Sequence, residues 1–352
     1  MKTVAVGLSG GVDSTLTAHL LKEKGYRVIG LSMSIYNGSI PAHITGDACY
    51  GPSEKQDIRD IQKWAKNQGI EAHILDLSES YKKTVLKYFK DSYLSGVTPN
   101  PCVMCNTLMK FGLLVEEAQK QGIAFDYFAT GHYARIEEKQ GRFILKKGID
   151  PHKDQSYFLY RLTQEQLART LFPLGEYTKD QVRKMARERG LKVADKSDSQ
   201  DFYAGDYADL LGEAPREGNI VLANGKVLGK HQGFWNYTIG QRKGLGIAYP
   251  EPLFVVDIDA EHNQVIVGTS KDTFVPECHA DRIVWGGIIE ELYEPMKAEV
   301  KYRSSGKTVP ATLIPEGDKV KVVFDEPQRA VTRGQSIVFY QGDSVLGGGI
   351  IG

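Results

Sequence analysis

The six residues Ser9-Gly10-Gly11-Val12-Asp13-Ser14 constrain this chain more than any other stretch. The apolar run from Thr3 to Leu8 precedes them and reads as a buried parallel strand. Ser14 to Lys24 follows as a helix with Leu16, Leu20 and Leu21 on one face. The hexapeptide is therefore a strand-to-helix turn. Two adjacent glycines allow positive φ and close backbone approach, so successive N–H groups and the helix N-terminus can surround an anion. No G-x-x-x-x-G-K-[ST] run is present, so this is not a Walker A loop.

Strands and helices then alternate. Arg27 to Met33 reads as a second strand, and residues 34 to 52 are polar, glycine-rich and carry Cys49. Ser53 to Gln56 has a capping-box pattern opening a helix with Ile58, Ile61, Trp64 and Ala65 inward. Ala72 to Leu77 reads as a third strand and residues near 79 to 91 as a helix. The loop Gly96 to Asn106 then leads to a helix from Met109 to Gln121, and Phe125 to Ala129 is a strand ending in Thr130-Gly131-His132-Tyr133. This alternation implies an α/β doubly wound parallel sheet, whose ligands sit beyond the carboxyl ends of the strands. The Ser9–Ser14 loop, Met33, the cysteine loop and Thr130-Gly131-His132 all fall at such ends.

Thr163 to Gly190 reads as helical, with Lys179 to Arg189 as a solvated charged face. After about residue 205, long helical patterns give way to glycine-rich strand-like stretches. A catalytic domain over 1–205, a small central domain over 206–270 and a C-terminal β-barrel over 271–352 are expected. In the barrel, Lys297 to Arg303 alternates with period two, which places Ala298, Val300 and Tyr302 inward and Lys297, Lys301 and Arg303 outward.

Lys plus Arg equals Asp plus Glu, 44 each in 352 residues, so any nucleic-acid surface must be a local concentration of charge. Gly240 to Gly246 is one such place, a basic flexible loop in which Arg242 and Lys243 are candidate phosphate contacts. No run approaches the ~20 apolar residues of a membrane span, and no basic-then-apolar leader opens the chain. A cytoplasmic protein without membrane contact is the expectation. Four cysteines, at 49, 102, 105 and 278, do not make a disulfide framework. Cys278 reads as a buried small apolar residue, whereas Cys102 and Cys105 form C-x-x-C.

Ser9 to Ser14 resembles SGGxDS, the pyrophosphate loop of enzymes that split ATP into AMP and pyrophosphate while adenylating a substrate. Further motifs follow in order: TPNPCVMCN at 98–106, ATGHY at 129–133, KDQSYFL at 153–159, YTIGQRKGLG at 237–246 and FDEPQRAVTRGQSIVFY at 324–340. With them the chain is similar, almost end to end, to the bacterial-type tRNA-specific 2-thiouridylases. That resemblance implies ATP-dependent adenylation of the C2 oxygen of uridine 34 in a tRNA anticodon, then displacement of AMP by sulfur. The base must leave its stack, which single-stranded loops allow at modest cost.

Carried over residue by residue, the resemblance assigns ATP to Gly7, Leu8, Ser9, Gly10, Gly11, Val12, Asp13 and Ser14, with Mg2+ on the phosphates and adenosine at Met33 and Gly131. It assigns the nucleophile to Cys105. Contacts with the anticodon stem-loop of the tRNA fall on Asn100, Pro101, His132, Lys153, Asp154 and Gln155, and on Lys301 and Tyr302 in the barrel. The sulfur donor is expected to be a carrier protein or inorganic sulfide.

Two departures stand out. The family has an acidic residue where this chain has Cys102. It also has a second catalytic cysteine after a D-S-[TQ] run, whereas here Asp198-Ser199-Gln200 continues as Asp201-Phe202-Tyr203-Ala204-Gly205. Three replacements are open: a [4Fe-4S] cluster on Cys49, Cys102 and Cys105; a Cys105 persulfide resolved by Cys102; or a structural zinc. Two other functions share some of these features. A small-molecule ligase or amidotransferase would share the loop without needing C-x-x-C, and a non-catalytic RNA-binding relative would bind tRNA without releasing pyrophosphate.

Overall fold

The structure, a computed structural model, describes residues 1–36, 38, 48–195 and 201–352, with only the backbone of Asp201. Asp198-Ser199-Gln200 lies outside the described residues.

Five parallel strands form the first sheet, in the order Glu71–Asp76, Arg27–Ser34, Thr3–Gly7, Tyr127–Ala129, Thr170–Leu171. By chain position this is 3-2-1-4-5, so the order reverses between Thr3–Gly7 and Tyr127–Ala129. At such a switch point the connections leave to opposite faces and open a crevice at the carboxyl ends. Both faces are covered, as the apolar strand sequences require. Val4 and Val6 pack with Ala18, Leu21, Ile61 and Ala65. Ala5, on the other face, packs with Phe89, Met109, Phe111 and Leu114. Each such Val or Leu removed from water contributes roughly 1.5–3 kcal/mol.

The helix Val12–Glu23 is buried on nearly every side, not along one stripe. Leu16 and Leu20 face away from the sheet and pack on Leu174, Val182 and Ala186. The expected long helix over 163–190 is interrupted: Gln164–Ala168 is followed by the edge strand Thr170–Leu171 and then by Lys179–Glu188. Lys179, Val182 and Ala186 of that last helix are buried against the first one, so its face is not wholly solvated. Thr163 and Thr178 each build a capping box with the glutamine three residues on. Ser53 does not cap its helix. It is already helical in backbone, and Glu54 reaches back to Ser34 Oγ at 2.7 Å and the N–H groups of Ile35 and Tyr36 at 2.8 and 2.9 Å.

A four-stranded central sheet runs Val227–His231, Gly218–Leu222, Gln264–Gly268, Phe254–Asp259. Beyond it Phe274–Trp285, Lys319–Arg329, Val309–Glu316, Met296–Lys301, Ser336–Gln341 and Ser344–Ile351 close into a six-stranded barrel. Val300, Leu313, Val322, Ile337 and Phe339 fill its interior. Alternation places Val300 and Tyr302 inward and leaves Lys297 and Arg303 exposed, but Lys301 is also buried. The first domain lies over the barrel there, and the Lys301 ammonium sits 5.8 Å from the centre of the Tyr157 ring.

The barrel is bound to the catalytic domain at several points. The hairpin Ala134–Lys139 and Arg142–Lys147 extends the barrel sheet through Lys146 and Ser344. Tyr157 donates to the Ser336 carbonyl at 2.9 Å, and Tyr160 to that of Gly349 at 3.1 Å. Gln335 Nε2 donates to the carbonyls of Thr98 and Pro99 at 3.1 and 2.8 Å, and Thr98 N–H donates to the Arg333 carbonyl at 2.9 Å. Arg333 also holds the central domain through Asp257 at 2.5 Å and the Ile258 carbonyl at 3.0 Å. All three domains therefore meet on the segment just before the cysteine motif.

Candidate active site

At the switch point, Gly10 takes φ +75° and Gly11 starts the helix without any side-chain cap. The first N–H groups of the helix are thus left for an anion. Ser14 Oγ accepts from Ser9 N–H at 3.2 Å and donates to the Gly11 carbonyl at 3.2 Å, while Thr15 Oγ1 donates to that carbonyl at 2.9 Å. These bonds fix the curl of the loop. Gly131, on the neighbouring strand end, lies so close that a Cβ would stand 2.8 Å from Asp13 C and 2.9 Å from Ser14 N. Met33 is the penultimate residue of the strand on the other side, half-buried and in register with Leu75.

Sequence reasoning missed Lys179. Its ammonium meets both carboxylate oxygens of Asp13 at 2.8 and 2.9 Å, and Tyr133 OH donates to Asp13 Oδ1 at 2.8 Å. A buried cation therefore stands beside the candidate phosphate loop. The Lys179 N–H in turn donates to Asp150 at 2.9 Å, ahead of the Lys153-Asp154-Gln155 segment. In that segment Asp154 accepts from the N–H groups of Gly148 and Ser156 at 3.1 Å each, and Gln155 Oε1 from Tyr133 N–H at 2.9 Å. The side chains of Asp154 and Gln155 are thus engaged in shaping their own loop. A threonine and a glutamine spaced as a capping box around residue 179 were the only local signal of this arrangement.

The cysteine motif lies in a helix, not the expected loop. Asn100 Oδ1 accepts from Val103 N–H at 3.3 Å as an N-cap, and Pro101 occupies the first helical position. Both choices suit a helix start. Cys102 and Cys105, three residues apart, share one side. From Cys105 to Leu113 the backbone winds as a π-helix, a rare form that collects at functional sites. Burial pushes the Cys105 thiol up to about 11, against the opposing charge of Lys110.

Cys49 is exposed on the short strand Ala48–Tyr50, which pairs in parallel with Asp201–Tyr203. Ala48 lies opposite Asp201 and Tyr50 opposite Tyr203, so Cys49 aligns with Phe202. The thiol therefore stands beside the segment in which the resemblance calls for a second cysteine. Cys49, Cys102 and Cys105 all act electrostatically on Lys110 and on the buried Tyr81 hydroxyl. Among the described residues, however, no three His, Cys, Asp or Glu side chains converge to hold a metal ion. The three-thiolate cradle and the zinc site, two of the three alternatives, have no such group among the described residues. Cys278 is half-buried in the barrel wall, its thiol raised to about 12 by burial.

His132 Nδ1 is 2.7 Å from Thr130 Oγ1, and its ring packs near Phe111 and Phe172. Burial and the Lys110 charge push its imidazole well below the usual range, so it is neutral at pH 7. An unfolded chain takes up this proton first. The stability His132 contributes is therefore complete above about pH 6.5 and is lost as pH falls toward the lower folded value. His19 and His231, lowered by burial, act in the same sense. Denaturant unfolding across this window is expected to show stability rising with pH, and His132→Gln to flatten that slope; an unchanged slope would show that His132 takes no part.

Of the remaining candidates, Asn100 is buried and structurally engaged, and Pro101 starts the helix beside it. Tyr302 OH donates to Gln328 at 3.2 Å. Arg242 and Lys243 are exposed on the central domain, where Arg242 borders a groove with Tyr249 and Pro250. They belong to the central domain, whereas Cys49, Cys102 and Cys105 belong to the first.

A family model described as the tRNA methyl transferase HUP domain matches residues 2–203. The tRNA methyl transferase PRC-barrel domain matches 209–269, and the aminomethyltransferase beta-barrel domain matches 275–351. A relative from Endomicrobium trichonymphae named tRNA-specific 2-thiouridylase MnmA is 48% identical over 355 residues, covering 99% of this chain and 98% of its own. Another of that name, from Clostridioides difficile, is 45% identical over 360 residues with the same two coverages. A solved 4-thiouridine synthetase–RNA complex with bound ATP is remote, at 15% identity and TM-score 0.38 over 59% of this chain and 45% of that one. Matched along its whole length by these relatives, the chain belongs to the tRNA-specific 2-thiouridylase MnmA family.

Proposed function

We propose that this chain is an ATP-dependent tRNA 2-thiouridylase with Cys105 as its sulfur carrier. The observation that carries the reading is the meeting, around one sheet, of an uncapped phosphate loop and a two-cysteine helix, in a chain similar end to end to relatives of that name.

ATP phosphates lie on the N–H groups of Ser9–Ser14 with the Lys179 ammonium beside them, and adenosine lies between Met33 and Gly131. Mg2+ would be held mainly by the phosphates, with Asp13 as the carboxylate at the loop, and would neutralise their charge. The C2 oxygen of the wobble uridine attacks the α-phosphorus and pyrophosphate leaves. The terminal sulfur of a Cys105 persulfide then attacks C2 and AMP leaves, carrying the former C2 oxygen. A second thiolate attacks Cys105 Sγ, so that a protein disulfide forms and the transferred sulfur remains on C2. A dithiol reductant restores the pair.

Cys102, three residues away, is the proposed resolving thiol. The register of Cys49 beside Phe202 favours a second route in which Cys49 takes that part. Peptide mapping under non-reducing conditions after one turnover separates a Cys102–Cys105 bridge from a Cys49–Cys105 bridge. A [4Fe-4S] cluster does not suit the thiol arrangement described above, and no step runs through one. A persulfide requires sulfur at the sulfane oxidation level, so the donor is a persulfide-bearing protein; inorganic sulfide alone would need an oxidant. No described helix is long and apolar enough to cross a membrane. The remaining contacts, at Asn100, Pro101, His132, Lys153, Arg242, Lys243, Lys301 and Tyr302, are proposed to seat the anticodon stem-loop. Mass spectrometry of tRNA nucleosides after deletion of the gene should show loss of 2-thiouridine, restored by the intact gene. Unchanged 2-thiouridine would overturn the reading.

A further inference from the structure

The π-helix that carries Cys105 is held on three sides. Asn106 Nδ2 donates to the Phe158 carbonyl at 3.3 Å, and Met109 Sδ accepts from Thr84 Oγ1 at 3.3 Å. The Phe111 ring lies 5.4 Å from Phe128 and 5.9 Å from His132, and Gln166 Nε2 donates to the Phe111 carbonyl at 2.9 Å. Lys110, half-exposed, has no carboxylate and no hydrogen-bond acceptor among the described residues. Burial works against the Lys110 charge, and the ionised forms of Cys105, Cys49 and Cys102, in that order, would favour it. Its own charge acts in turn on Cys105 and on His132 at the end of the neighbouring strand.

This placement follows from the winding. In an α-helix residue i is neighboured by i+3 and i+4, so Lys110 would turn away from Cys105. With i→i+5 hydrogen bonds the turn is wider, so the residue five on swings round to the side of the first, and here that residue is Lys110. Met109, the α-helical neighbour, is instead fully buried.

We propose that Lys110 is an anion-holding group of the sulfur-transfer site: the π winding turns it to the Cys105 side of the helix, where its ammonium meets negative charge carried on sulfur or on the departing AMP. The inference rests on the reading of Cys105 as sulfur carrier. Sulfur transfer moves negative charge from the nucleophile to the leaving phosphate, and a cation on that side of the helix, unclaimed by a carboxylate, stabilises it at both ends.

The test uses the full-length chain without tRNA. Cys105 is alkylated at one pH with iodoacetate and with iodoacetamide, and rates are resolved by peptide mass spectrometry. The ratio of the two rates cancels the thiolate population and reads the local potential, because only iodoacetate is an anion. A fixed cation in a cleft raises the encounter of an anionic reagent by about tenfold or more. Lys110→Met and Lys110→Gln are each expected to lower the iodoacetate-to-iodoacetamide ratio at Cys105 by about that factor, and Lys110→Arg to keep it. Cys278, in the barrel, is the internal control, and its ratio should not move in any variant. Loss of the ratio in Lys110→Arg as well, or an unchanged ratio in both neutral variants with the Cys278 ratio also unchanged, would overturn the proposal. Absence of 2-thiouridine formation by the unmodified protein would instead defeat the functional reading, and leave the alkylation ratio untouched.

Discussion

Replacing Cys105 by serine is expected to abolish 2-thiouridine formation, by at least about a thousandfold in rate, while ATP binding persists. A hydroxyl cannot carry sulfane sulfur, and the phosphate loop is built from other elements. Because Cys105 is half-buried beside the core, the substitution should cost little stability, about 1 kcal/mol. Single-turnover assays with sulfur donor, ATP and tRNA, read by nucleoside mass spectrometry, check it. Formation of 2-thiouridine at an undiminished rate would remove Cys105 from the role of carrier. Adenylated tRNA should accumulate in the variant, since activation needs no sulfur.

The second large effect is expected at Gly131. A methyl group there would stand 2.8 Å from the Asp13 carbonyl carbon, 2.9 Å from Asp13 Cβ and 2.9 Å from Ser14 N. All three atoms belong to the first turn of the loop helix, which is held by Ser14, Thr15 and the Lys179 pair, so relief requires the backbone to move. Overpacking of this kind costs about 1–3 kcal/mol. Placed on the binding loop, that energy corresponds to roughly a tenfold to hundredfold weaker ATP affinity. Calorimetric titration of Gly131→Ala with ATP measures it directly; an unchanged affinity would mean that nucleotide does not use this crevice.

The parts of the site that were legible in the sequence are local ones. Ser9 to Ser14 declares itself because strand, glycines and helix are contiguous, and the sheet order then places Gly131 beside it. Asn100-Pro101 was also a readable helix start, an N-cap followed by proline, although the motif was expected in a loop. Lys179 was not readable. Its carboxylate partner lies 166 residues away, and helix periodicity gives only a charged face. Lys301 defied its alternation because another domain covers the outside of the barrel. Cys49 gained meaning only through pairing with a strand some 150 residues later, which no spacing rule anticipates. Lys110 was hidden for a different reason: its relation to Cys105 depends on a winding that sequence periodicity does not encode.

The grip of Gln335 and Arg333 on Thr98 and Pro99 also bears on the birth of the protein. During synthesis the N-terminal domain emerges first and folds as a unit. The segment that leads into the cysteine helix, however, waits for residues near the very end of the chain. A nascent or prematurely terminated product can therefore fold its nucleotide crevice while its cysteine entrance stays unbraced.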